Sequence, residues 1–351
     1  MSNNQTLVGD KTIVNSAVKT IENPDVQIIK KSKYLKGNNN FNNEIISFQN
    51  FLEKTKKTYN VQQNITTKDK LKLFNKIDEH FEKISIIINN LKNPTSIELH
   101  KQEYQNKIQK YFLGFKLGER AYKKPLGYPG DYKMINYYYK GQSESKSFFD
   151  HLLDEYTIHH TNCGKGVQNR IPFIKEFINK NKPTKKTMNI LNVASGPAEE
   201  ARQLINDDKI KGINWSFLDI DNNALSFVKK NLDSTNNINF INENILTFLK
   251  KDNTNKYDLI YSLGLFDYFK DSSFSWIMNH LFKLLDNNGV LIIGNLSEHK
   301  HKIYMEFIAE WDLKYRNTID LENIAKKNNY SNFEIKTTND LTQNYLIIRK
   351  N

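Results

Sequence analysis

Three small residues, Ala194, Ser195 and Gly196, separate an apolar run, Asn189–Val193, from a polar segment that opens with Glu199 and Glu200. Small residues between a strand and a helix let the backbone approach a ligand closely, and the helix that follows presents free N–H groups. The next apolar run, Trp215–Leu218, ends on Asp219, a carboxylate placed to accept both hydroxyls of a ribose. Asp221, two residues on, suits the cap of a helix starting at Asn222. Asn244 follows the third run and can bond an adenine edge, with Ile220 and Ile245 on the ring faces; an asparagine there can equally be turn-forming. Ser262, Gly264 and Phe266 lie where the fourth run gives way to a loop that would pass beneath such a ligand. A dinucleotide site would carry three spaced glycines, whereas Ala194 and Ala198 flank a single Gly196, so no pyrophosphate cradle is expected. A tight strand-helix connection without a ligand is the plain alternative.

A second set of candidates lies outside these runs. Two prolines and two glycines in Pro125–Tyr132 forbid a regular element, and Pro129-Gly130 suits the centre of a type II turn. The segment reads either as a turn between helices or as a lid that aims Tyr128, Asp131 and Tyr132 at the site. Tyr137, Tyr138 and Tyr139 follow it as acceptor-pocket or packing residues. His159 and His160 lie near a helix end, where His160 is a candidate base or acceptor contact and a capping role competes. Arg170 and Arg316 can clamp a carboxylate in bidentate fashion or pair with neighbouring acids. Glu306 and Arg316 sit on an expected helix after the fifth run. No Cys/His cluster has metal-ligand spacing, so no metal is expected.

These side chains need a scaffold, and the periodicity supplies one. Residues 1–40 read as a weakly ordered polar arm. Phe41, Ile45, Phe48 and Leu52, and then Leu71, Phe74, Ile77, Phe81, Ile84 and Leu91, recur at helix spacing. Pro94 breaks the run, and Thr95-Ser-Ile-Glu98 resembles a capping box opening the next helix. Further helices are expected over 143–160 and 166–181, with 182–187 as a linker. From Met188 apolar strands alternate with helices: 189–193, 215–218, 239–241, 258–262 and 290–294, closed by a pair at 333–336 and 345–349. That alternation predicts an α/β fold, a Rossmann-like doubly wound sheet. It follows a helical N-terminal domain over 41–187 with a lid at 124–132, and occupies 188–351.

The chain of 351 residues has 38% hydrophobic residues and a formal net charge of +12. Its lysines are spread among asparagines and acids rather than gathered, which argues against a nucleic-acid partner and for a solvated surface or a field suited to an acidic ligand. Cys163 is the only cysteine, no run is long enough to span a membrane and no leader is visible, so a cytoplasmic location is expected. Oligomeric state stays open, a homodimer included.

Together, the small-residue turn, Asp219, the Ser262–Phe269 loop and the Asn-Gly turn before the fifth strand resemble the class I S-adenosylmethionine-dependent methyltransferases over residues 188–349. The resemblance implies S-adenosylmethionine as cofactor, held by Ala194, Ser195, Gly196, Asp219, Ile220, Asn244, Ile245, Ser262, Gly264 and Phe266. Asn192 stands where that family often has an acid. Lys124–Tyr132, Ser262–Phe269, Gly294-Asn295, Tyr304–Glu306 and Trp311–Arg316 are further similar to a bacterial group that includes the 3-hydroxypalmitic acid methyl ester synthases. That implies a small-molecule acceptor, acidic or amphipathic, and carboxyl O-methylation of a hydroxy fatty acid; the residues read above, Tyr128, Asp131, Tyr132, His160, Glu306 and Arg316, are the candidates to act on it. The alternatives are N- or C-methylation of a small metabolite and, from another class, an RNA-binding or non-catalytic cofactor-sensing protein.

Overall fold

The computed structural model describes residues 39–182, 187–207, 212–233, 237–252 and 254–351; all but the last two residues of the expected polar arm lie outside them, as does most of the expected linker. The first half is helical. α1 (Asn39–Val61) and α2 (Thr67–Asn89) pack through Phe41, Ile45, Phe48 and Leu52 against Phe74, Ile77, Phe81 and Ile84, each buried. Leu71, expected on this stripe, is 52% exposed, and Leu73 takes the core position instead. α3 (Pro94–Tyr104) starts one residue before the expected box: Pro94 is its first residue, and the Asn93 side chain caps it by accepting from Thr95 N at 2.9 Å. α3 runs on through a π-helical turn, Gln105–Gln109, to Phe112. α4 (Lys116–Lys123), α5 (Tyr132–Lys140), α6 (Phe148–Glu155) with a π turn at Tyr156–His160, and α7 (Asn162–Asn181) complete this part.

The second half alternates β1 (Met188–Val193), α8 (Glu199–Ile205), β2 (Ile213–Asp219), α9 (Asn222–Lys230), β3 (Ile238–Asn242), α10 (Ile245–Lys250), β4 (Tyr257–Ser262), α11 (Asp271–Lys283), β5 (Leu285–Leu296), α12 (Thr318–Lys327), β6 (Phe333–Thr337) and β7 (Gln343–Arg349). The strand order is β3-β2-β1-β4-β5-β7-β6. β1 to β5 run parallel, and β7 pairs antiparallel with β5 and β6. Leu191, Val193, Ile260 and Leu291 face one apolar layer, while Ile190, Phe217, Leu259 and Ile292 face the other, as the two-residue period of a strand requires. Chain direction across the sheet reverses between β1 and β4, which opens a crevice at their carboxyl ends.

The segment after β5 leaves the sheet and enters the helical core, where Ile303, Tyr304, Phe307, Ile308 and Trp311 pack with Phe81 and Phe112. Its own π turn, Tyr304–Ile308, widens the helix and disrupts the regular carbonyl pairing there. Gln105 Nε2 donates to Phe307 O at 3.0 Å and Gln109 Nε2 to Ile308 O at 2.8 Å, which satisfies two of those carbonyls. Among the described residues, no helix is long and apolar enough to cross a membrane.

Candidate active site

The turn after β1 holds three left-handed positions at alternate residues: Ala194 (φ 52°), Gly196 (φ 53°) and Ala198 (φ 45°). Two of these are alanines in a conformation that favours glycine, so the turn stores strain of about 1–2 kcal/mol at each. A Cβ on Gly196 would meet nothing within 4 Å, because that side of the turn opens into a cavity. Gly196 N donates to Asp219 Oδ2 at 2.8 Å, and Asp221 N donates to Oδ1 at 2.9 Å. Burial holds the Asp219 carboxyl above the usual range, opposed by these two backbone N–H groups. Asp221 caps α9 as expected, accepting from Asn223 N at 2.8 Å.

The cavity, about 650 Å³, lies at the carboxyl ends of β1, β2 and β4. The turn Ala194–Pro197, Asp219 and Ile220 form one side, and Leu263–Leu265 with Asp267–Phe269 form the floor. The expected lid closes it through Leu126–Gly130 and Tyr132, followed by Ile135 and Tyr139 of α5; Trp311 and Leu313 add an apolar end wall. Tyr268 OH donates to Pro129 O at 2.9 Å and accepts from Trp311 Nε1 at 2.9 Å, which clasps the lid to the floor. Gly130 has φ 73°, as the second central residue of a type II turn requires, and a Cβ there would lie 2.5 Å from Trp311 Cζ2. Burial raises the Tyr128 phenol well above its ordinary value, and the charges of Asp219 and Asp221 add to this.

Several expected site residues have other partners. Asp131 is consumed by structure: it caps α5, accepting from Lys133 N and Met134 N at 3.0 Å each, and it pairs with Arg120 at 2.7 Å. His160 is not at the cavity; it bonds Asp78 at 3.0 Å, beside His301, Lys300 and Tyr156, inside the helical part. Arg316 is a buried strut whose guanidinium donates to Phe266 O, Phe269 O, Asn295 Oδ1 and Asp271 Oδ1, so no N–H fork is left for a substrate. Glu306 lies on the third π turn, 3.8 Å from Lys302 and outside the lining. Asn244 caps α10, accepting from Leu246 N at 2.8 Å, and neither it nor Ile245 lines the cavity. Ser262 braces β4 to β1 by donating to Val193 O at 2.9 Å, and Phe266 is fully buried against Phe274. Tyr137 bonds Asp154 and Tyr138 sits in the helical core, which leaves Tyr139 as the cavity tyrosine of the three.

Residues 184–344 match a family model described as a methyltransferase domain. They form a methyltransferase domain. A malonyl-[acyl-carrier protein] O-methyltransferase from Ilyobacter polytropus is 28% identical over 152 residues, 41% of this chain, which spans about half (54%) of that relative's length. Among solved structures, a possible exported protein from Bordetella parapertussis superposes with a TM-score of 0.56 at 13% identity, covering 74% of this chain and 99% of that one. At that identity the likeness speaks for the fold alone, helical part included. Magnesium protoporphyrin IX methyltransferase from Synechocystis, with bound SAH, gives a TM-score of 0.43 at 13% identity over 54% of this chain and 86% of its own.

The methyltransferase domain brings further groups to the cavity that the sequence pattern did not single out. Glu200, on the first turn of α8, is 3% exposed; its Oε1 accepts from Asn192 Nδ2 and Tyr261 OH, each at 3.1 Å. Burial raises its carboxyl above the ordinary value. Asp267 is pushed up to about 6 by burial, against the opposing charge of Arg170 and a bond from Leu296 N at 2.8 Å. Ser195, one of the residues the sequence does single out, lines the cavity with its Oγ buried and without a hydrogen-bond partner among the described residues. The glycine-sized approach at Gly196, this free hydroxyl and the Asp219 carboxylate suit the residues to a hydroxyl-rich, cationic ligand such as S-adenosylmethionine.

Proposed function

We propose that this protein is an S-adenosylmethionine-dependent methyltransferase acting on a small acidic or amphipathic molecule, with carboxyl O-methylation of a hydroxy fatty acid as the leading reaction. The observation that carries the reading is the joint of Gly196 and Asp219 at the carboxyl edge of the sheet, opening into a cavity whose far side is apolar. Ala194, Ser195, Gly196, Asp219, Ile220 and Gly264 would hold the cofactor, with the remaining lone pairs of Asp219 on the ribose hydroxyls. Bound there, the cofactor supplies a methyl group activated by its sulfonium. The protein's share is alignment and exclusion of water. Tyr128, Tyr132 and the clasped lid cover the site, while Leu126, Ile135, Trp311 and Leu313 receive the apolar part of an acceptor. A carboxylate acceptor is already a nucleophile and needs no base. The relative named as an O-methyltransferase supports oxygen as the acceptor atom.

A second reading rests on Asp267. A carboxyl near 6 in the cavity floor can serve as general base for a hydroxyl acceptor, giving an ether rather than an ester. Incubation of the protein with methyl-labelled S-adenosylmethionine and a cell extract, followed by mass spectrometry, tests both. A labelled product that loses its methyl in mild base supports the ester; a base-stable label supports the second reading; no protein-dependent label refutes the function.

A further inference from the structure

Two buried charges of opposite sign line the same cavity, and the chemistry so far uses neither. Glu200 has no salt bridge among the described residues; its hydrogen bonds come from the neutral Asn192 and Tyr261. Arg170, on α7, is 5% exposed. Its nearest carboxylate oxygen, Asp267 Oδ2, stands at 3.7 Å, beyond hydrogen-bond length, and its Nε reaches Gln343 Oε1 only at 3.4 Å. Tyr139 lines the same cavity, within the fields of both Glu200 and Arg170. A buried carboxylate without a cation is costly, and so is a buried guanidinium without a close anion; a ligand carrying both charges relieves both.

Their position says which end of a ligand that is. Asn192 and Tyr261, the partners of Glu200, are on β1 and β4, and Arg170 Nη1 lies over Gly264, where a Cβ would stand 2.7 Å from it. Asp219 ends β2, on the other side of β1. Strands two apart in a sheet are about 10 Å apart. An elongated ligand with its ribose on Asp219 therefore brings its other end to Glu200 and Arg170. Resting on S-adenosylmethionine as cofactor, we propose that Glu200 and Arg170 form a clamp for its zwitterionic amino-acid end, Glu200 on the ammonium and Arg170 on the carboxylate. The carboxylate absent at Asn192 is thus supplied from the next helix, and a residue of the helical part completes the cofactor site.

Calorimetry on the full chain with four ligands tests the clamp: S-adenosylmethionine, S-adenosylhomocysteine, decarboxylated S-adenosylmethionine and methylthioadenosine, which lacks the amino-acid end. Glu200→Gln is expected to weaken S-adenosylhomocysteine about 30-fold or more while methylthioadenosine binds as to the wild type. Arg170→Gln is expected to weaken S-adenosylmethionine by a similar factor without further weakening the decarboxylated form. Methylthioadenosine binding also reports that each variant is folded. Equal losses for all ligands, or no loss for any, overturn the clamp. A wild type that binds none of the four refutes the cofactor reading itself, and the clamp with it.

Discussion

Gly196→Ala separates what the small-residue turn does for folding from what it does for binding. The residue has φ 53°, so an alanine there is held in the left-handed region. Ala194 and Ala198, at φ 52° and 45°, show that this turn tolerates such an alanine. The expected cost in stability is about 1 kcal/mol, which for a chain of this size lowers Tm by on the order of 2 °C. The added methyl meets no protein atom within 4 Å, because it points into the cavity. It therefore occupies space that a bound cofactor needs, and it crowds the N–H that holds Asp219. Loss of affinity for S-adenosylhomocysteine should exceed tenfold, about 1.4 kcal/mol, beyond anything the melt predicts. Ala194→Gly is the converse control, raising Tm slightly by relieving the same strain. Thermal melts and calorimetry on both variants decide the matter. An unaltered affinity in Gly196→Ala would falsify the placement of the ligand against this turn.

Three other perturbations reach different parts of the structure. Asp131→Asn keeps an N-cap side chain but breaks the pair with Arg120, so a loss of about 3 kcal/mol in denaturant titration is expected with cofactor affinity unchanged; lost affinity at full stability would return Asp131 to the site. Tyr268→Phe removes the clasp between Pro129 O and Trp311 Nε1, and hydrogen exchange over 125–131 should quicken while the rest of the chain is unaffected; unchanged exchange there would mean the lid is held by packing alone. His299 is pushed down to about 3 by burial, and neither ring nitrogen has a hydrogen-bond partner among the described residues. Its unfolded form takes up a proton below about pH 6.5 that the folded form refuses, so it withdraws stability as pH falls from 6.5 towards 3. Asp267, pushed up to about 6, works in the opposite direction, so the informative quantity is the difference in Tm against pH between wild type and His299→Phe. Parallel curves would show that His299 does not titrate in this way.

The strands and the turn were legible because their signals are local. Five apolar runs alternating with helical segments, a small-residue turn after the first and an acid after the second need only neighbouring residues to be recognised; Asp221 caps its helix as that pattern implies, and Gly196 and Asp219 meet at the carboxyl edge of the sheet. The expectations for Asp131, His160 and Arg316 fared differently because each depended on what else would compete for the side chain. Arg316 has the fork that suits a carboxylate, but Asp271, 45 residues earlier, and the carbonyls of Phe266 and Phe269 claim it first. His160 meets Asp78, 82 residues away, in a cluster completed by His301 from beyond the sheet. The same distance hid the clamp candidates. Glu200 reads as an ordinary first-turn acid of α8 until Tyr261 and Asn192 are seen around it, and Arg170 reads as one more cation on a helix. Charge in the sequence marks which residues can do chemistry. Whether a charge is free to do it is decided by desolvation and by partners the fold brings from elsewhere: Arg316 and Asp131 have theirs within hydrogen-bond reach, while buried Arg170 has its carboxylate only at 3.7 Å and buried Glu200 has no cation paired with it among the described residues.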